Sequence, residues 1–90
     1  MAVNCYITFP STYSAIRAEN LLKQKDYPYK MVPVPRAISS SCGTALRCDC
    51  KDIFSLASFL RQQDLDLEGI YRLEESGMKM PKVEDINVES

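Results

Sequence analysis

Asn4 to Phe9 alternates, with Cys5, Ile7 and Phe9 on one side and Tyr6 and Thr8 on the other. That period of two predicts a short strand. Pro10 ends it, and Ser11 or Thr12 is placed to cap a helix running to about Lys25. Within that helix Ala15, Ala18, Leu21 and Leu22 share one arc, while Arg17, Glu19, Asn20 and Lys23 face outward. A turn over Asp26 to Pro28 leads to a second strand, Tyr29 to Val34, where Pro33 argues for an edge position because proline cannot donate to a ladder. Pro35 to Gly43 reads as a loop. Thr44 to Cys48 is a third strand, with Leu46 and Cys48 on one face and Ala45 and Arg47 on the other.

Asp49 is expected to cap a second helix whose apolar stripe is Ile53, Leu56, Ala57 and Leu60, flanked by Phe54 and Phe59. Leu67 to Leu73 is a fourth strand. Residues 74–90 show no hydrophobic period and carry net negative charge, and are read as a flexible acidic tail beyond a domain of residues 1–73. The order strand, helix, strand, strand, helix, strand predicts an α+β fold. The expected form is a βαββαβ ferredoxin-like split βαβ sandwich, a four-stranded antiparallel sheet with two helices on one face. Right-handed crossovers then set the first and third strands side by side.

Composition narrows the chemistry. Ninety residues make one small domain, which buries about 60–65% of its unfolded surface. A net charge of −1 offers no basic stripe for nucleic acid. The apolar runs are too short for a membrane span and no leader is evident, so a cytoplasmic chain without membrane or nucleic-acid partners is expected. Cys5, Cys42, Cys48 and Cys50 are then not expected to form structural disulfides. Histidine is absent, which removes the commonest metal ligand and the usual base for a catalytic thiol. No metal or cofactor is expected.

The candidate chemistry centres on Cys42, preceded by Ser39, Ser40 and Ser41 and followed by Gly43. Small turn-forming residues hold a thiol near solvent, and Arg36 lies on the approach to the same loop. In the expected topology this loop shares one end of the sheet with the start of the first helix, where free N–H groups and the helix dipole favour an anion such as a thiolate. A loop cysteine that is merely tolerated is the plain alternative. Cys48 lies six residues on, roughly 20 Å away along a strand, too far for a direct disulfide with Cys42. Cys5 and Cys48 are expected as cross-strand neighbours and small core residues, with Cys50 in the first turn of the second helix.

The segments YITFPSTYSAIRAENLLK, PVPRAISSSCGTALR and EGIYRL together resemble a family of small bacterial and archaeal selenium/sulfur carrier-like proteins, over residues 4–73. The resemblance implies that Cys42, flanked by Ser41 and Gly43 with Arg36 as the nearby cation, holds a persulfide or perselenide. It also implies a cysteine desulfurase or related donor and a biosynthetic acceptor, hence a stoichiometric carrier rather than a turnover enzyme. Such transfer needs no general base, in keeping with the missing histidine. Two readings of other classes stand beside it. One is a non-catalytic small-ligand or protein-interaction module that forms a homodimer through the sheet. The other is a redox or metal site built from Cys5, Cys48 and Cys50.

Overall fold

Ser11 opens the first helix as its N-cap: its hydroxyl accepts the Ser14 N–H at 3.2 Å, and its carbonyl accepts from Ala15. In the computed structural model, which describes residues 2–38, 40–75 and 82–86, the elements are β1 (Ala2–Thr8), α1 (Thr12–Leu22), β2 (Lys30–Pro33), β3 (Thr44–Cys48), α2 (Ile53–Gln62), β4 (Gly69–Glu75) and β5 (Lys82–Asp85). Helix α1 stops short of Lys25 because its end tightens: Gln24 and Lys25 donate to the carbonyls three residues back, Leu21 and Leu22. Asp49 does not cap α2. Its carbonyl instead accepts from the Asp52 N–H at 2.9 Å, forming a turn that delays the helix to Ile53. Among the described residues no helix is long and apolar enough to cross a membrane.

Among the described residues the fold is α+β, with two helices and one antiparallel sheet in the order β2-β3-β1-β4-β5. β1 and β3 lie side by side and β2 is an edge, as the sequence implies. The expected count of four strands is corrected to five. β5 falls within the stretch read as an acidic tail, and β4 itself continues to Glu75. β5 escapes sequence reading because it offers one apolar residue, Val83, among charged neighbours, as an edge strand facing water often does. It is held by the ladder to β4, by the Ile86 N–H to Ile70 carbonyl bond of 2.9 Å, and by Arg72 lying between Glu74 and Glu84. The rest of the proposed tail, 76–81 and 87–90, lies outside the described residues.

Both sheet faces carry apolar side chains. On one, Cys5, Ile7, Leu46, Cys48 and Ile70 pack against Ala15, Ala18 and Leu22 of α1 and Ile53, Leu56, Ala57 and Leu60 of α2. On the other, Tyr6, Ala45 and Leu73 are covered by Ile38, which is only 4% exposed. The β2–β3 loop therefore folds back over the face without helices, anchored by Ile38 and by a turn in which the Ile38 N–H reaches the Pro35 carbonyl at 3.0 Å. That anchoring sets where Cys42 sits.

Candidate functional site

Cys42 lies where the returning loop rounds the end of the sheet, half-buried and packed against the helix-side core. Gly43 follows with φ +75°. This is the left-handed region, where a side chain is strained even though a Cβ would meet nothing within 4 Å. The glycine turn swings Thr44 back onto the sulfur. Thr44 donates its N–H to Cys42 Sγ at 3.4 Å, and the thiol donates to the Thr44 carbonyl at 3.2 Å. The Ser40 hydroxyl lies 3.8 Å from the same sulfur. The Gly43 carbonyl in turn accepts from Val34 at 3.0 Å, tying the turn to the end of β2.

Ser41 points elsewhere. Its N–H donates to Glu68 Oε1 at 3.0 Å, and its hydroxyl donates to the other oxygen of the same carboxylate. These bonds, the side-chain one foremost, hold the Glu68 carboxyl below the usual carboxylate range. Glu68 is itself fixed by its N–H, which reaches the Thr8 carbonyl at 2.8 Å. Ser40, Ser41, Glu68 and Tyr71 line a shallow cleft of about 360 Å³ beside the thiol. The Tyr71 ring closes over Gly69, where an added Cβ would come within 2.8 Å of it.

The residues expected from the sequence thus divide. Cys42 and Gly43 form the core of the site, and Ser41 is the strap that joins the loop to Glu68. Arg36 is exposed in a turn and makes no hydrogen bond or ion pair to the loop among the described residues. Ser39 lies outside them. The hydrogen bonds of Cys42 Sγ go to Ser40 and Thr44 rather than to the first turn of α1, whose Ser14 N–H is already taken by Ser11. The sequence does not single out Thr44, Glu68 or Tyr71 as site residues. Glu68 was within reach of topology, since β1 ends where β3 and β4 begin: Thr8 pairs with both Ala45 and Gly69.

The matching segment settles the family. A family model described as Putative Se/S carrier protein-like matches residues 4–72. The chain belongs to that family. No curated protein and no solved structure matches the chain. For this Se/S carrier-like chain the matched span contains Cys42 with its partners Ser40 and Thr44, and Glu68 as well. It also contains the other three cysteines.

Those three meet at the opposite end of the sheet. Cys5 and Cys48 are Cα partners across β1 and β3, as expected, and both pack in the helix-side core. Contrary to the expectation of no structural disulfide, Cys5 is bonded to Cys50, with Cα atoms 5.0 Å apart. That expectation came from compartment. The turn between β3 and α2 supplies the geometry, because it carries Cys50 back beside Cys5, midway along β1. Cys48 remains a free thiol, and burial, aided by the charges of Asp52 and Asp49, pushes it up to about 12.

Proposed function

We propose that this protein carries sulfur or selenium on Cys42, taking it from a cysteine desulfurase or related donor and passing it to a biosynthetic acceptor. The observation that supports this most is the family-matched loop, which presents a free, half-exposed thiol while a backbone N–H points at its sulfur. In the loading step the Cys42 thiolate attacks the outer sulfur of the donor's persulfide. A new S–S bond forms on Cys42 as the donor's S–S bond breaks, and the donor cysteine leaves with the bonding pair as a thiolate. Delivery repeats the exchange, with an acceptor nucleophile taking the terminal atom and Cys42 leaving as thiolate. Each step is neutral in electrons overall.

The N–H of Thr44 and the hydroxyl of Ser40 are the donors nearest the charge that develops on sulfur. The loop at the sheet's end gives a partner protein direct access. Arg36, exposed on the approach, is assigned to meet the donor or the anionic product.

Intact mass measurement after incubation with a desulfurase and cysteine tests the reading. Wild type is expected to gain the mass of one or more sulfur atoms, and Cys42→Ser none. Full loading of folded Cys42→Ser overturns it. A wild type that takes no adduct and forms a concentration-dependent dimer moves the assignment to the sheet-paired interaction module.

A further inference from the structure

Cys5 has two cysteine neighbours. One, Cys50, is bonded to it; the other, Cys48, stands directly opposite on the neighbouring strand and faces the same core. Directly opposed residues of an antiparallel pair have Cα atoms about 4.5–5.5 Å apart. A disulfide spans Cα separations of about 4.4–6.8 Å. The ladder therefore holds Cys48 within bonding reach of the sulfur that Cys50 now occupies.

We propose that Cys5 is shared by two mutually exclusive disulfides, Cys5–Cys50 and Cys5–Cys48, and that this end of the sheet is a thiol–disulfide exchange site. In the exchange Cys48 loses its proton to solvent and attacks Cys5 Sγ. The Cys5–Cys48 bond forms as Cys5–Cys50 breaks, and Cys50 leaves with the bonding pair and takes up a proton. No net oxidation occurs. Cys48 is only 6% exposed but borders a cleft of about 380 Å³ with Asn4, Tyr29, Lys30, Arg47 and Asp49.

The two forms differ in what they tie down. Cys5–Cys50 fastens the turn that precedes α2 onto β1, whereas Cys5–Cys48 links two strands already paired and frees that turn. The turn carries Asp52, whose buried Oδ2 has no hydrogen-bond partner among the described residues. Releasing the turn lets that oxygen reach water, which favours exchange. Opposing it, burial and the charges of Asp52 and Asp49 keep Cys48 protonated against the cations Lys30 and Arg47 that share its cleft. Exchange is therefore slow near neutrality and quickens about tenfold per pH unit as thiolate accumulates. The site is independent of the carrier reading, since Cys42 lies at the other end of β3.

The test uses Cys42→Ser, so that only these three sulfurs remain. Cleavage before aspartate places Cys5 in fragment 1–25, Cys48 in 26–48 and Cys50 in 49–51. The disulfide-linked pair is expected to begin as 1–25 with 49–51. Incubation near pH 9, followed by acid quenching, is expected to transfer a growing share to 1–25 with 26–48. In Cys50→Ser of the same background, diamide as the two-electron oxidant is expected to form the Cys5–Cys48 link. A link confined to fragment 49–51 throughout the incubation overturns the exchange. Free Cys5 and Cys48 thiols in folded, diamide-treated Cys50→Ser overturn their mutual reach.

Discussion

At the scale of single residues, the two free thiols of this chain are set apart by what surrounds them. Cys42 sits half-exposed beside the Ser40 hydroxyl and the Thr44 N–H, while Cys48 is buried beside two carboxylates. Alkylation of the folded protein at about pH 8 is therefore expected to label Cys42 rapidly and to leave Cys48 unlabelled until the chain unfolds; comparable rates at both would contradict the burial argument. The Cys48 thiol also leaves a mark on stability. Its proton is held more tightly folded than unfolded, from the ordinary 9.0 up to about 12. Its contribution is thus complete below pH 9 and is lost as pH rises from there through about 12. Cys48→Ala should flatten that alkaline decline in a denaturation series. Glu68 has the opposite sign. Its lowered value means that the Ser41–Glu68 contact supports the loop above the usual glutamate range near about 4.3, and is lost as pH falls below it. Following the Ser41 amide by NMR through that acid range should show the contact released, and Glu68→Gln should remove the transition. Gly43→Ala must adopt φ +75° with a side chain, at a cost of about 1–2 kcal/mol in urea unfolding, and should displace Thr44 from the sulfur.

At the scale of elements, what could be read from the sequence and what could not follow different physics. The alternation of Cys5, Ile7 and Phe9, the serine before α1 and the proline in β2 are local signals, and each points to the element observed. β3 is legible to the residue because a glycine and an aspartate bracket it. β5 is not, because its place comes from pairing with Arg72 and Glu74 and from Ile86, not from any period of its own. The same holds for the site. Cys42 stood out from its neighbours in the chain, but the Ser41–Glu68 strap joins positions 27 apart that only the sheet brings together. Ile38 passed for an ordinary loop residue, yet it seals the second face of the sheet. Ile38→Ala should therefore destabilise by about 2 kcal/mol, at the low end for a buried aliphatic because a loop can partly collapse onto the gap. Amide exchange should rise most around Ser40 to Thr44; unchanged protection there would mean that the loop is held by its own turns alone.

For the molecule as a whole, one sheet separates Cys42 from the other three cysteines. At the end where β1 gives way to α1, a loop presents Cys42 to solvent; at the other, the Cys5–Cys50 bond ties β1 to the approach to α2, with the free Cys48 of β3 opposite Cys5. The Cys5–Cys50 bond closes a sequence separation of 45. In the chain-entropy model that is worth about 4 kcal/mol, so reduction should lower stability by roughly that amount while leaving the Cys42 loop in place. The separation also leaves no second free thiol beside Cys42, so under the proposed carrier role a sulfur atom loaded there is not drawn off as hydrogen sulfide. The most direct measurement is to locate that atom. The protein is incubated with a desulfurase and cysteine, trapped with an alkylating agent and mapped by peptide mass spectrometry without reduction. A single extra sulfur on the peptide bearing Cys42, with Cys48 unmodified and Cys5 and Cys50 still joined, is the predicted result. Sulfur spread evenly over the four cysteines, or absent from Cys42, would contradict the assignment.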